Sequence, residues 1–167
     1  MKKYCKSLIG VDILKKEIKK LNKLGYDLIC QDVEKLKLNK KFDVIIAGEL
    51  IEHLSNPGLM IESAKKHLKK KGILIITTPN PYALDKCLRP LVSSSQPANP
   101  EHTALFTKET MKELVRRHGF RIKKIHYFTE RVEFKYSNKP IIARMFFYLK
   151  GIRPHFKETI VFICEKT

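Results

Sequence analysis

Apolar and polar positions alternate in blocks that predict a βαβ unit across residues 42–81. Residues 42–47 (FDVIIA) form a short apolar run rich in β-branched side chains, typical of a strand buried on both faces of a parallel sheet. A second such run lies at residues 73–76. The apolar positions with helical spacing between the two runs are Leu59, Ile61, Ala64 and Leu68. Because βαβ units bind ligands beyond the carboxyl ends of their strands, residues 48–53 and 77–81 are candidates for a site.

Two further strands are predicted before this unit, each followed by an aspartate. Residues 6–12 (KSLIGVD) predict a strand that ends at Asp12, and residues 26–30 predict a strand followed by Asp32. A helix at about residues 14–24 connects them. Carboxylates at two neighbouring strand ends can accept the hydroxyls of a ribose and the exocyclic amine of adenine. Taken alone, each aspartate is better explained as a turn or helix-cap residue, whereas the pairing favours a nucleoside site.

The second half of the chain predicts fewer regular elements. These are a helix at 108–118 and strands at 120–128 and 159–164. Thr107 would cap the helix, but the capping box is expected to be incomplete because Thr110 replaces the usual glutamate. We expect one domain over residues 1–167, in which residues 79–106 and 129–157 are substrate-side insertions.

Composition and charge narrow the functional classes. The chain has 167 residues, with 34 lysines and arginines against 17 acidic residues, for a net charge of +17. This balance suits either an RNA partner or a lysine-rich solvated surface. We favour the solvated surface, since the lysines recur along every predicted helix. No apolar run approaches the roughly 20 residues of a transmembrane helix, no signal peptide is visible, and four scattered cysteines suit a cytoplasmic protein.

Several ordered motifs carry a resemblance to a known family. They are GVDI at 10–13, QDV at 31–33, FDVIIAGELIEHLSNP at 42–57, GILIITTPNP at 72–81 and EHTALFTKETMKELVRRHGF at 101–120. Together they resemble the class I S-adenosylmethionine-dependent methyltransferases, in particular the quinone-biosynthesis O-methyltransferases. The resemblance implies an α/β, Rossmann-like, mostly parallel sheet with helices on both faces. It also implies transfer of a methyl group from S-adenosylmethionine to a small-molecule hydroxyl.

The same resemblance assigns residues to cofactor binding. They are Asp12, Ile13, Asp32, Val33, Ala47, Gly48 and Glu49. Asp12 would bind the ribose hydroxyls and Ile13 would pack on the adenine. Asp32, with the backbone of Val33, would read the adenine edge. The last three residues would line the methionine side of the cofactor.

An acidic corner supplies the candidate catalytic groups. Glu49, Glu52 and His53 form an E-x-x-E-H pattern whose members fall on one side of a helical turn. With His102 they could hold a divalent cation such as Mg²⁺, which resembles the metal site of small-RNA terminal 2′-O-methyltransferases and of some quinone O-methyltransferases. Two alternatives stay open. His53, with Glu52, could act as the general base, or both could simply begin the helix and shape the pocket, which we favour over a metal site.

One departure from the family pattern affects the cofactor site. Family members begin with a strand and a glycine-rich loop of the form Asp-x-Gly-x-Gly, and no such motif occurs here. In the family sheet that strand lies between those that end at Asp12 and at Ala47. We expect the two strands to pair directly, or another chain (a second copy or a complementing partner) or an upstream segment to supply the strand. We therefore expect this chain to bind S-adenosylmethionine weakly or not at all. The alternative function is a non-catalytic or split methyltransferase-like subunit that binds RNA.

Overall fold

The computed structural model describes residues 5–84, 86–87, 99–129 and 153–167. The described helices are α1 (Lys15–Lys23), α2 (Pro57–His67) and α3 (Lys108–Arg117). The described strands are β1 (Gly10–Asp12), β2 (Leu28–Cys30), β3 (Phe42–Gly48), β4 (Leu68–Pro79), β5 (Phe120–Phe128) and β6 (Thr159–Lys166). Of the two predicted insertions, residues 85, 88–98 and 130–152 lie outside the described part of the chain. Within the described part of the chain, no helix has the length and apolar content needed to cross a membrane.

The described strands form two sheets. β1 and β2 pair in parallel as a two-stranded sheet. The second sheet has the order β3-β4-β6-β5, in which β3 and β4 are parallel and β6 is antiparallel to both of its neighbours. Helix α2 connects the parallel strands β3 and β4, as the hydrophobic pattern predicts. The arrangement is a Rossmann-like α/β fold with a mixed main sheet.

The strands β1 and β3 do not pair with each other among the described residues. Direct pairing, the first of the three outcomes expected from the absent glycine-rich strand, is therefore wrong. The segment after β2 is fixed to α2 instead. The backbone N–H of Leu38 donates to His67 Nε2 at 2.9 Å, and the N–H of Asn56 donates to Glu34 Oε1 at 2.9 Å. These bonds hold the β1–β2 sheet beside α2 and leave it separate from β3.

One face of the main sheet forms the core with α2 and α3. Buried side chains from both helices pack in one cluster with alternate residues of the strands, among them Ala47, Leu74, Ile76, Phe162 and Cys164. On the other face, Val44 and Ile46 of β3 stay 46% and 49% exposed. The prediction that residues 42–47 are buried on both faces is therefore wrong. α2 and α3 both pack on the Ala47 side of the strand, so the alternate side chains keep contact with solvent.

The ends of helices α2 and α3 differ in detail from the sequence prediction. Leu59 is exposed, because Met60, Ile61 and Ala64 take the inward positions of α2. At the start of α3 the predicted incomplete capping box is in fact complete. The Thr110 backbone N–H donates to Thr107 Oγ1, and the Thr107 N–H donates to Thr110 Oγ1 at 2.8 Å. A threonine hydroxyl can both donate and accept, so it replaces the usual glutamate here.

Candidate functional site

A buried carboxylate lies just beyond the carboxyl end of β3. Glu52 belongs to the 3₁₀ turn Ile51–His53 and is only 1% exposed. Its Oε2 atom accepts a hydrogen bond from the Thr78 hydroxyl at 3.1 Å, whereas Oε1 is buried and finds no hydrogen-bond partner within the described part of the chain. Because an unpartnered buried carboxylate oxygen is energetically costly, Oε1 is a ready acceptor for a proton donor or a cation.

Two hydrogen bonds bring the segment before α3 onto this turn. The carbonyl oxygen of Glu52 accepts from the Thr103 backbone N–H at 2.7 Å and from the Thr103 hydroxyl at 3.0 Å. The hydroxyl also lies 2.7 Å from the carbonyl oxygen of Leu54. His102 is thereby placed next to His53, with ring centroids 4.7 Å apart and ring planes at 85°. The two imidazoles that the sequence predicts for one site therefore meet.

These groups can hold a divalent cation. One ligand atom each from Glu52, His53 and His102 lies within 4.8 Å of the other two. The unpartnered Glu52 Oε1 is the kind of oxygen that a metal ion would satisfy, so the residues fit a divalent cation. Two imidazole nitrogens and one carboxylate suit zinc, iron or cobalt better than magnesium, which prefers oxygen ligands.

Glu49, the fourth predicted metal ligand, is not a member of that group. It adopts a left-handed backbone conformation with φ of +46°, and its N–H lies within hydrogen-bonding distance of both the carbonyl oxygen (3.1 Å) and the hydroxyl oxygen (3.0 Å) of Thr77. Desolvation raises the pKa of the Glu49 carboxyl group, and the charge on Glu52 adds to the rise, while a Thr77 hydrogen bond opposes it. A non-glycine residue at positive φ costs about 1 kcal/mol or more, so the surrounding bonds must hold it.

The predicted nucleoside-binding residues lie on the other sheet. Asp12 Oδ1 accepts from the Leu14 N–H and Asp32 Oδ1 from the Glu34 N–H, each at 2.9 Å, so both aspartates make turn or cap contacts. The parallel pairing of β1 with β2 also brings them to the same end of that sheet. Ile13 beside Asp12 is 67% exposed. An exposed apolar side chain can pack on the face of a nucleoside base, while the neighbouring carboxylate can accept hydrogen bonds from the ribose hydroxyls.

Three other predicted cofactor residues are placed less favourably. The side chain of Ala47 is buried in the core, so only its backbone could face a ligand. Val33 packs partly against that core. Gly48 is exposed, and a Cβ there would meet only the Thr77 hydroxyl, at 3.8 Å. This glycine is thus not required by local crowding.

Sequence reasoning named residues 77–81 as part of a candidate site but assigned no role to the polar residues that support the corner. Thr78 and Thr103 hold Glu52, and Asn80 fixes the end of β4. The Asn80 side-chain amide donates to the carbonyl oxygens of His155 and Lys157, at 2.7 Å each, and its Oδ1 accepts from the Tyr82 N–H at 3.0 Å. The run TTPN after an apolar strand was the available signal, because buried polar residues at a strand end usually have partners.

Comparison with known proteins identifies the family. The model of a methyltransferase domain matches residues 1–125. The ubiquinone biosynthesis O-methyltransferase of Rickettsia canadensis (strain McKiel) is 30% identical over 139 residues, or 78% of this chain and 58% of that protein. The enzyme of the same name from Pelagibacter ubique (strain HTCC1062) is 41% identical over 80 residues, which cover 44% of this chain and 33% of that protein. The chain thus spans a third to somewhat over half of these relatives.

A solved structure agrees on the fold. An S-adenosylmethionine-dependent methyltransferase from Clostridium acetobutylicum ATCC 824 superposes with a TM-score of 0.65, covering 96% of this chain and 75% of the other, at 16% identity. The predicted Rossmann-like fold class is thereby confirmed. The family match over most of its length shows that the chain belongs to the methyltransferase-domain family, and its fold is that of S-adenosylmethionine-dependent methyltransferases.

Proposed function

We propose that this protein takes part in transfer of the methyl group of S-adenosylmethionine to a hydroxyl group of a small-molecule acceptor. The observation that carries the proposal is the corner at Glu52, where a buried carboxylate and two imidazoles converge beyond a parallel strand. The names of the two curated relatives support an oxygen acceptor. The family match supports the cofactor.

Each sheet would hold one part of the reactants. Asp12 and Asp32 would bind the ribose and adenine, with Ile13 against the base. Bound S-adenosylmethionine supplies an electrophilic methyl group on a sulfonium centre. Glu49 and the backbone of Ala47 and Gly48 would line its methionine side. The chain's main contribution is then to orient the acceptor oxygen in line with the departing sulfur.

The corner residues would remove the acceptor proton. His53 reaches solvent, so it could take the proton from the hydroxyl and release it to water. Glu52 Oε1 would accept a hydrogen bond from the same hydroxyl or from an imidazole N–H. In the alternative arrangement Glu52, His53 and His102 hold a divalent cation, which would lower the pKa of a bound hydroxyl.

Mass-spectrometric detection of methylated product from phenol and catechol acceptors, at millimolar cofactor, tests the proposal. Glu52→Gln and His53→Ala should each lower the rate by about 100-fold or more, as expected for loss of an acid–base group. Lys108→Gln, on the exposed start of α3, is the matched control and should leave the rate unchanged. The proposal fails if no hydroxyl acceptor is methylated, either by this chain or by a fusion that carries a relative's glycine-rich strand and loop.

A cation titration separates the two forms of the site. If a metal is used, Mn²⁺, Co²⁺ or Zn²⁺ should restore a chelated protein better than Mg²⁺, because two of the three ligands are imidazoles. His102→Ala should then abolish the metal response and lower the rate as strongly as His53→Ala. Under the general-base form, chelation should have no effect and His102→Ala should cost much less.

A second candidate, a split or non-catalytic methyltransferase-like subunit, rests on a specific observation. Among the described residues β1 pairs only with β2 and β3 only with β4, and the side chains of Val44 and Ile46 are half exposed. A strand from a second copy or a complementing chain would pair with these edges. If a second copy supplies the strand, size-exclusion chromatography with light scattering should show a self-associated protein. If a different chain supplies it, adding that partner should raise the affinity for the cofactor.

A further inference from the structure

Two neighbouring clefts lie at the end of the main sheet opposite the Glu52 corner. One, of about 820 Å³, is lined by residues 34–41 and by the last turns of α2. The other, of about 490 Å³, lies between the ends of α2, α3 and β6. Lys66 lines both, so the clefts adjoin. β3 spans seven residues between this end and the acidic corner, which at about 3.3 Å per residue puts roughly 20 Å between them.

The lining of these clefts is strongly cationic. The lysines are Lys35, Lys37, Lys40, Lys41, Lys65, Lys66 and Lys166. Among the described lining residues the carboxylates are Glu34 and Glu62, and both have other partners. Glu34 accepts from the Asn56 N–H at 2.9 Å, and Glu62 lies 3.2 Å from His118 Nδ1. The sequence predicted dispersed lysines, and that prediction is wrong for these seven, because folding gathers three separate segments at one edge.

Two of the lysines are held in place by backbone carbonyls at the end of α2. Lys41 Nζ donates to the carbonyl oxygen of Lys66 at 2.7 Å, and Lys166 Nζ donates to that of Leu68 at 2.8 Å. Partial burial lowers the pKa of Lys166, and the charges on Lys41 and Lys65 lower it further. The ammonium groups therefore lie close enough to repel one another, and a bound anion would relieve that repulsion.

We propose that the adjoining clefts bind the phosphate backbone of a single-stranded nucleic acid. A small anion would need one pocket, whereas these lysines continue from one cleft into the next, as a chain of phosphates requires. Both clefts are shallow and open, so a flexible strand could lie along them. Their described lining has no aromatic side chain apart from the imidazoles of His67 and His118, so binding is independent of base sequence.

Fluorescence anisotropy with a labelled oligouridylate of about 20 nucleotides tests the proposal on the intact chain. One variant replaces exposed cleft lysines with glutamine: Lys37→Gln, Lys40→Gln, Lys65→Gln and Lys66→Gln. The matched control removes the same charge from exposed positions of α1: Lys16→Gln, Lys19→Gln, Lys20→Gln and Lys23→Gln. A third variant carries arginine at the four cleft positions. Circular dichroism melts of all three variants check that each one folds.

The cleft variant should bind at least about tenfold more weakly than the control. Its plot of log affinity against log salt should be shallower by about 3, since each lost phosphate contact on a single strand removes about 0.7. The arginine variant should bind like the unmodified protein. Equal losses in the cleft and control variants would overturn the proposal, as would absence of binding at low salt or a preference for anionic lipid vesicles. None of these affinity measurements depends on cofactor binding or methyl transfer.

Discussion

The two sheets of this protein differ greatly in the number of buried side chains that stabilise each one. In the small unit formed by β1, α1 and β2, Ile18 is the only buried side chain among residues 10–30, all of which are described. Large apolar side chains there stay exposed: Ile13, Leu14, Leu24 and Tyr26. The four-stranded sheet instead shares one continuous core with α2 and α3. A two-stranded sheet has little stability by itself, so the small unit should open at a lower free energy than the core.

This difference matters because the proposed site uses both regions. The proposed nucleoside contacts lie on the small unit and the acid–base corner lies on the core. Their described connection runs through residues 31–38, chiefly the bonds of Glu34 with Asn56 and of Leu38 with His67. The relative position of the two halves therefore depends on these polar contacts and on the packing of Val33 against the core.

The largest effect should come from a core substitution. Phe162→Ala, at a fully buried position of β6, should lower the free energy of unfolding by about 3–5 kcal/mol, because it leaves a cavity among residues of both helices. Phe128→Ala, at a position 52% exposed on β5, should cost at most about 0.5 kcal/mol. Urea denaturation followed by circular dichroism measures both. Similar costs for the two would contradict the description of the core.

A smaller effect is expected at the bond between the regions. In His67→Phe, the N–H of Leu38 and the carbonyl oxygen of Ser63 lose their imidazole partner, at a cost of about 1–3 kcal/mol. Hydrogen exchange should speed up at residues 28–38 and much less at residues 73–78. His126→Phe, at an exposed position of β5, is the control. Uniform faster exchange in His67→Phe would mean that the regions open together.

A third prediction compares how replacing a buried and an exposed cysteine changes the pH dependence of stability. Burial raises the pKa of Cys164 from its ordinary value of 9.0 to about 12. Above pH 9 the unfolded thiol loses its proton while the folded one keeps it, so stability falls as pH rises, by at most about 1.4 kcal/mol per unit. Cys164→Ala should flatten this fall between pH 9 and 10, whereas Cys30→Ala on exposed β2 should not. Identical pH slopes for both variants would contradict the burial.

The smallest predicted effect concerns Glu34. Glu34→Gln weakens the bond to the Asn56 N–H and should cost about 0.5–1.5 kcal/mol or less. In the double variant with His67→Phe, residues 28–38 should lose more stability, measured by hydrogen exchange, than the two single variants lose together. Both contacts secure the same segment, so their effects should not be additive. Glu17→Gln, on exposed α1, is the matched control. Strict additivity would show that the contacts act independently.

Local pattern predicted the elements better than their surroundings. Strand β5 has the predicted bounds and α3 differs from its prediction by one residue. Both predictions succeed because hydrophobic periodicity and helix capping depend on residues close in sequence. Exposure of Val44 depends on which face the helices take, and the bonds of Glu52 to Thr78 and Thr103 join segments distant in sequence. Such contacts leave no local period. The meeting of His53 with His102 was expected only through the family resemblance.

The central claim is that the cofactor site is divided between two weakly connected regions. Isothermal titration calorimetry of S-adenosylmethionine into this chain tests that claim most directly. The separation of β1 from β3 predicts weak binding or no measurable heat. Micromolar affinity for a monomer of this chain would contradict it.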